Sequence, residues 1–133
     1  MAIQFSVGVR NARLDAIETT VGTTPTLELR TGAAPATCAT ADSGTVCATM
    51  TLPSDWMSAA SAGAKALSGT WQDTSADAAG TVAHFRIKQG ATCHLQGTVT
   101  ISGGGGDLTL DNNVLASGQS VSITSFTLTD GNA

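Results

Sequence analysis

Two histidines and one cysteine are the residues of this sequence best suited to chemistry. His94 directly follows Cys93, and His84 lies on the preceding predicted strand. Two imidazoles facing each other across a hairpin would supply two ligands to zinc, whereas a zinc site needs three or four. A thiol beside an imidazole could also form a nucleophile–base pair. The phase of the strand points Cys93 into the core instead, so we expect a buried thiol and a solvated or interface histidine pair.

The acidic loops and the glycine-rich loop are candidate binding sites for calcium and for phosphate, respectively. Asp73, Asp77, Asp107 and Asp111 lie in predicted loops, but their spacing does not match a calcium-binding loop. Aspartate favours turns because its carboxylate binds nearby backbone N–H groups, and we assign that role here. Gly103–Gly106 lacks the Lys-Ser or Lys-Thr pair of a phosphate-binding loop, so we predict a turn. We therefore predict no catalytic, metal or cofactor site.

The cysteine count bears on the redox compartment. Three cysteines, Cys38, Cys47 and Cys93, cannot all be paired within one chain. A Cys38–Cys47 bridge is sterically conceivable. The first residues lack the basic and apolar regions of a secretory signal, however, so we expect folding in a reducing cytoplasm with three free, partly buried thiols.

The two tryptophans are the largest side chains, and tyrosine is absent. Tryptophan is common both in cores and at the centres of interfaces. Trp56 and Met57 follow Pro53 in a predicted turn, which makes Trp56 the better interface candidate, with Trp71 as the other. An aromatic platform for carbohydrate is the alternative, although the sequence contains few aromatic residues.

The spacing of apolar residues predicts a mainly β fold with one helix. Apolar and polar residues alternate over residues 3–9, which predicts a half-buried strand. The spacing then becomes helical, and we predict one short helix at about 11–20, with Asn11 as its N-cap and Gly22 at its end. A loop is predicted at 32–44, a helical turn within 54–64, and further strands at 26–31, 45–52, 65–71, 81–87, 91–101, 107–110 and 120–129.

The hairpin formed by 81–87 and 91–101 has the clearest register. Its predicted loop, Lys88–Gly90, ends in glycine as a type I turn with a G1 bulge prefers. In the last strand the apolar phase breaks at Ser125, which predicts a bulge or bend. Seven or eight short strands in one domain over residues 1–133 indicate an antiparallel β-sandwich, with a jelly roll as one arrangement. The predicted hairpin register pairs Ile87 with Ala91, Phe85 with Cys93, Ala83 with Leu95 and His84 with His94.

Composition limits the classes of partner. Charged residues make up 12% of the chain, about half the usual ~25%. With six Lys and Arg residues and a net charge of −4, a basic patch for nucleic acid or an anionic membrane is disfavoured. No apolar run is long enough to span a bilayer. A neutral, hydroxyl-rich surface suits a protein that packs among partners or copies of itself, so we expect a homo-oligomer.

Four segments of the sequence carry a family resemblance: MAIQFSVGVRNARLDAIETTVG, TMTLPSDWM, SGTWQDTSADAAGTVAHFRI and SITSFTLTDGNA. They resemble a group of small proteins encoded among the virion genes of tailed bacteriophages and prophages. The resemblance covers nearly the whole chain and contains no catalytic signature. It implies a virion protein that is assembled in the host cytoplasm. Small β-sandwich proteins of this size often act as capsid cement or decoration proteins, a step that rests on fold-level analogy.

These observations together predict a non-enzymatic phage structural protein. We expect a capsid cement or decoration protein that bridges and stabilises major capsid subunits, with the major capsid protein or other virion proteins as partners. A neck, tail or fibre protein is one alternative, and a carbohydrate- or receptor-binding β-sandwich module is another. The residues predicted to form the protein interface are Ile3, Phe5, Trp56, Met57, Trp71, Thr127, Leu128 and Thr129.

Overall fold

The computed structural model describes residues 2–131, which begin with an extended segment and a helix. Helix α1 (Val7–Val21) starts after Ser6, whose hydroxyl oxygen accepts a hydrogen bond from the backbone N–H of Val9. The predicted strand at 3–9 and the predicted N-cap at Asn11 are therefore wrong. A serine cap satisfies an otherwise free N–H of the first turn, and this local bond outweighs the short alternating pattern. The predicted end of the helix is confirmed, since Gly22 follows it with a φ of 96°.

Ten short strands follow the helix within the described residues. They are β1 (Thr26–Thr31), β2 (Val46–Thr51), β3 (Ala64–Ala66), β4 (Trp71–Asp73), β5 (Gly80–Gln89), β6 (Thr92–Ile101), β7 (Leu108–Leu110), β8 (Val114–Leu115), β9 (Val121–Ile123) and β10 (Thr127–Thr129). Five of them lie side by side in the main sheet in the order β2-β1-β5-β6-β7, and β8 pairs with the beginning of β5. The other four form two small ladders, β3 with β10 and β4 with β9. A mainly β fold with one N-terminal helix is thus confirmed.

The main sheet is mixed rather than purely antiparallel, because β6 and β7 run parallel. The connection between them is short and contains the glycine run, which forms the predicted turn. Gly103 and Gly105 have φ values of 86° and 81°, a left-handed conformation that glycine adopts without steric cost. The Asp107 carboxylate accepts hydrogen bonds from the backbone N–H and the hydroxyl of Thr98, at 2.8 and 2.9 Å. These bonds fasten the end of the turn beside β6, so that β7 starts alongside it.

The β5–β6 hairpin forms, but its predicted register is wrong. Gly90 and Ala91 make a two-residue loop, with Gly90 at a φ of 62°, as the first position of a type II′ turn requires. An extra residue, His94, then bulges from β6. Beyond the bulge the partners of β5 shift by four residues, an even number, so Leu95 stays on the apolar face with Phe85 and Ile87. Before the bulge the phase is reversed, so Cys93 lies opposite Lys88 and the prediction that it points into the core is wrong. The observed pairs are Lys88 with Cys93, Ile87 with Leu95, Phe85 with Gly97 and His84 with Thr98.

Two other predicted elements differ from the structure. Residues 54–64 form no helical turn, because Ser58 and Ser61 make backbone hydrogen bonds with residues 64–66 instead. The strand predicted at 65–71 is divided between β3 and β4, which belong to different ladders. The bend predicted at Ser125 is confirmed, since the chain leaves β9 after Ile123 and joins the other ladder as β10.

The core lies between the main sheet and the two ladders. Phe85, from the centre of the main sheet, meets Phe126 edge-on with ring centres 5.6 Å apart. Phe126 contacts Trp71 at 5.6 Å, and Trp71 contacts Trp56 at 6.0 Å. This aromatic chain connects the two layers, and the other buried apolar residues join it in one cluster. The arrangement is sandwich-like, with α1 packed at its side.

Candidate interaction surface

Residues 2–9, here called the N-terminal arm, expose an unusual amount of apolar surface. Ile3 is 77% exposed, Phe5 41%, Val7 49% and Val9 44%. Among the described residues only two other large apolar side chains are comparably exposed. A concentration of apolar groups on a protein surface indicates a contact with another molecule. The arm therefore contains two of the predicted interface residues, Ile3 and Phe5, in accessible positions.

The arm is exposed because the helix attaches to the rest of the protein only after its first turn. Arg10 Nε donates to the backbone carbonyl of Asp130 at 2.6 Å. The Asn11 side-chain oxygen accepts the N–H of Gly63 at 2.9 Å. Leu14 is the first fully buried side chain of the helix. Residues before Arg10 thus lie outside the core.

A groove runs next to the arm, between α1, β6 and β10. It consists of three neighbouring clefts of about 270, 380 and 360 Å³. Ile17, Leu95 and Leu128 line it with half-buried apolar side chains. The clefts share lining residues, since Leu95 and Thr129 each contribute to two of them, as does Arg13. We call this feature the α1–β6–β10 groove.

Two strand edges border the groove. In the part of the chain from residue 2 to 131, β10 pairs only with β3, and Thr92–Thr98 of β6 pair only with β5. The outer edge of such a strand carries backbone N–H and C=O groups that can pair with a further strand. Thr127 and Thr129 are exposed and Leu128 is half-buried. These three predicted interface residues thus lie along an accessible edge.

Asp130 and Arg13 bring the two ends of the chain to the same side of the molecule. The Arg13 guanidinium lies 3.1 Å from a carboxylate oxygen of Asp130. Its centre is also 5.0 Å from the centre of the Phe5 ring, which is within the range of a cation–π contact. The arm therefore leaves the helix at the rim of the groove. No local pattern in the sequence indicates that the predicted interface residues near Phe5 and Thr129 would lie on the same side.

Trp56, Met57 and Trp71 lie in the core, so the expectation that they form an interface is wrong. All three side chains are at most 1% exposed. The indole N–H of Trp56 donates to the carbonyl of Gly22 at 3.0 Å. The indole N–H of Trp71 is 3.1 Å from the carbonyl of Ser68. Because both polar tips are satisfied inside the protein, neither tryptophan offers a platform to an external ligand.

The two histidines do not face each other, because the two-residue loop together with the bulge at His94 places Thr98 opposite His84. His84 is fully buried, and its Nδ1 lies 2.7 Å from the carbonyl oxygen of Gly32. A carbonyl only accepts, so Nδ1 carries the proton. His84 Nε2 has no hydrogen-bond partner within the described residues, whereas His94 lines the groove. No group of three or more His, Cys, Asp or Glu between residues 2 and 131 is placed to hold a metal ion.

Cys38 and Cys93 form a disulfide, so the expectation of three free thiols is wrong for this pair. The observed register places Cys93 close to the hairpin end and half-buried, where Cys38 of the 32–44 loop reaches it. Cys47 alone is free and buried. Burial, together with the charge of Asp77, raises the pKa of the Cys47 thiol.

An ion cluster holds the same loop on the sheet. Arg86 donates to the backbone carbonyls of the loop at Thr37, Cys38 and Thr40, at 3.0 to 3.1 Å. Its guanidinium and the Lys88 ammonium both hydrogen-bond to the Asp42 carboxylate. The bond from Lys88, followed by that from Arg86, lowers the pKa of Asp42 to about 2 against the opposing effect of burial.

A second ion cluster fixes the helix. Lys65 is 2% exposed, and its ammonium lies 2.7 Å from Asp15 and 2.8 Å from Glu18, both on α1. Burial alone would lower the pKa of Lys65, but the hydrogen bonds to Asp15 and Glu18 outweigh it and raise the pKa. The bond from Lys65, with that from the N–H of Ala60, lowers the pKa of Asp15. These ion pairs attach the helix to β3, in addition to its buried side chains Leu14 and Val21.

The predicted loop aspartates mostly bind backbone groups. Asp73 accepts the N–H groups of Thr49 and Ser75, at 3.0 and 2.9 Å. Asp77 accepts the Thr49 hydroxyl at 2.7 Å. The bond from Ser75 is a local turn contact of the predicted kind, although Asp73 is the last residue of β4. The bonds of Asp77 and Asp107 instead join separate segments of the chain.

No helix within the described residues is long and apolar enough to cross a membrane. Comparison with models of known protein families, with curated proteins and with solved structures finds no match for this chain.

Proposed function

We propose that this chain is a non-enzymatic structural protein of a tailed-phage particle, and specifically a capsid cement or decoration protein. The observation that carries the proposal is the exposed N-terminal arm, with Ile3 and Phe5 outside the core. Fully burying a large apolar side chain contributes about 1.5–3 kcal/mol. At the observed exposures, the four apolar side chains of the arm supply about 4 kcal/mol in total when a partner covers them.

That energy suits a protein that acts in many copies. About 4 kcal/mol limits a single contact to a dissociation constant near 1 mM at best, because ordering the two partners costs part of this free energy. Arms on neighbouring copies bound to one surface reinforce each other, because each further contact becomes intramolecular. A particle with a repeating surface provides this condition, whereas an isolated partner does not.

The distribution of charge also supports a neutral contact. The basic residues Arg30, Arg86 and Lys88 are at most 7% exposed and pair with Asp42 or Glu28. The surface that remains is rich in hydroxyl and small apolar groups. The resemblance to phage virion proteins over nearly the whole chain points the same way.

The two alternatives to a cement protein require different surfaces or different copy numbers. A carbohydrate-binding module would need an exposed aromatic platform, and Trp56 and Trp71 are both buried. A neck, tail or fibre protein uses the same kind of contact as a cement protein but occurs in far fewer copies. Copy number therefore separates these two locations.

The experiment is to purify particles of the phage or prophage that encodes this chain and to measure the ratio of this protein to the major capsid protein. A ratio on the order of one supports a cement protein, and a much smaller ratio supports a neck or tail location. Absence from purified particles would reject the proposal.

A rebinding assay tests the role of the arm. Particles stripped of this protein are incubated with wild-type protein, with the double variant Ile3→Ser/Phe5→Ser, or with the control Val114→Ser. Val114 is 56% exposed outside the arm, so its replacement removes apolar surface without touching the arm. We expect the wild type and the control to bind and the arm variant to lose binding. Equal binding of all three proteins would show that the arm is not the contact.

A further inference from the structure

We propose that the α1–β6–β10 groove receives the N-terminal arm of a second copy of this chain. This inference rests on the proposed structural role, and it names one partner of the arm. It assigns a function to the strand edges along the groove, which have no partner strand within the described residues.

The chemistry of the arm matches that of the groove. Residues 2–9 contain no charged side chain, and Ile17, Leu95 and Leu128 line the groove with apolar groups. The charged rim residues Arg13 and Asp130 already pair with each other. A neutral arm can therefore enter without leaving a buried charge unpaired, which would be costly.

The backbone of the arm also fits a strand edge. Ile3 and Phe5 alternate with Gln4 and Ser6, so an extended arm directs its two apolar side chains to the same face. Its backbone can then exchange contacts within its own chain for pairing with the edge of β10 or of β6, the mode in which many domains bind extended peptides. The main-chain bonds would add to the contact made by the apolar side chains.

The arm of the same chain lies at the rim of the groove and does not fill it. The Phe5 ring contacts Arg13 at this rim while the bond between the Ser6 hydroxyl and Val9 is formed. Ile3 is 77% exposed, and the groove continues along α1 to Ile17 and Val21. That part of the groove is therefore available to the arm of a second copy.

The expected contact area indicates how strong self-association is. The exposed apolar side chains of one arm amount to roughly 200 Å², taking about 60–120 Å² for each fully exposed side chain. A two-fold exchange of arms would bury roughly 800 Å² when the groove surfaces are counted too, below the ~1,200–2,000 Å² of stable interfaces. We therefore expect weak, concentration-dependent association in solution and firm association where copies are held side by side.

The test is photo-cross-linking between distinguishable copies. Full-length protein with the photoreactive residue p-benzoylphenylalanine in place of Phe5 is mixed at high concentration with ¹⁵N-labelled wild-type protein. After irradiation, mass spectrometry identifies which labelled peptides are attached. We expect cross-links to the labelled peptides that contain Leu95 or Thr127–Thr129. The same photoreactive residue at Val114, which is exposed outside the arm, is the control and should not label these peptides.

A variant of the labelled copy tests the groove itself. Thr127 is exposed on the edge of β10, so Thr127→Arg should leave the fold intact while placing a charge where the arm would lie. We expect the yield of the groove cross-link to fall about tenfold, equivalent to ~1.4 kcal/mol. Cross-links confined to the arm's own chain, or an unchanged yield with Thr127→Arg, would overturn the inference.

The outcomes separate this inference from the proposed function. If the arm variant fails to bind stripped particles but no groove cross-link forms, the arm contacts a capsid protein and only the groove inference fails. If the groove cross-link forms but the protein is absent from particles, the phage role fails and self-association stands.

Discussion

Replacing both Cys38 and Cys93 with serine should destabilise this protein mainly by freeing its unfolded chain. The disulfide joins residues 55 positions apart in sequence, so it restricts a large part of the unfolded ensemble. In the variant, the 32–44 loop keeps its other attachments, because Arg86 still donates to the carbonyls of Thr37 and Thr40. We therefore expect the native fold to remain while the free energy of unfolding falls.

The size of the effect follows from the length of the closed loop. The chain-entropy relation gives about 4 kcal/mol at 25 °C for a loop of this length. For a domain of this size, that loss lowers Tm on the order of 10 °C and the urea midpoint by about 2 M. The dependence of the unfolding free energy on urea should also become steeper, because the unfolded variant is less compact.

Urea unfolding followed by tryptophan fluorescence measures all of these quantities, since Trp56 and Trp71 are buried in the native state. The single variants Cys38→Ser and Cys93→Ser should each lose as much stability as the double variant, because either one removes the bond. A dithiol reductant should lower the wild-type midpoint to the same value and leave the variants unchanged. Cys47→Ser is the matched control, since Cys47 is free and its variant should keep its response to the reductant.

Two results would refute this reasoning. If the losses of the two single variants add up in the double variant, the cysteines act through separate packing contacts rather than through a shared bond. If the reductant leaves the wild-type midpoint unchanged although both thiols become free, the bond does not restrict the unfolded chain as argued.

Two further predictions concern glycine packing and acid stability. Gly97→Ala should cost about 1–3 kcal/mol, as overpacking does, because the added Cβ would lie 2.8 Å from the Phe85 ring. At Gly8 on the helix, an added Cβ would make only an ordinary contact with the Ser6 hydroxyl, at 3.8 Å. Gly8→Ala should therefore stabilise by about 0.5–1 kcal/mol, and thermal melts that shift in the same direction for both variants would contradict this. Asp42 has a pKa lowered from 3.8 to about 2, chiefly by Lys88, so its contribution is complete above about pH 4 and is lost as pH falls through about 2. Because Asp42 is partly exposed, we expect the free energy of unfolding to fall by only about 1 kcal/mol. Urea unfolding curves measured from pH 5 to pH 1.5 would show this loss. An Asp42→Asn variant that loses the same stability in acid would disprove this assignment.

Much of the sheet could be predicted because its signals are local. Alternation of side chains located β1 and β2 to within a residue at each end, and it identified β5 and β6 as a hairpin. The apolar face of that hairpin was identified correctly for Leu95 and Val99, because beyond the bulge the register shifts by an even number of residues. Cys93, which precedes the bulge, was assigned to the wrong face. The break at Ser125 was visible, since it interrupts a local pattern.

The predictions were wrong where a contact between residues distant in sequence, or a single hydrogen bond, decided between two local structures that the sequence pattern fits equally well. A serine cap turned the alternating residues 7–9 into helix. The shorter hairpin loop moved His94 away from His84, and the bulge at His94 then placed Gly97 opposite Phe85. A glycine opposite a large aromatic residue was the one signal of this register in the sequence. Nothing local to Trp56 indicated that its indole N–H would find the carbonyl of Gly22, 34 residues away.

By itself, the sequence determined the class of fold, because the period of apolar residues depends on neighbours only a few positions apart. It also determined the low charge and the apolar character of the first residues, which are the basis of the proposed interaction. Only the tertiary structure decided which apolar residues are accessible: Trp56 and Trp71 are enclosed between two layers, whereas Ile3 and Phe5 lie outside them. Burial depends on elements that are far apart in the chain and meet only in the folded molecule, so no local pattern encodes it.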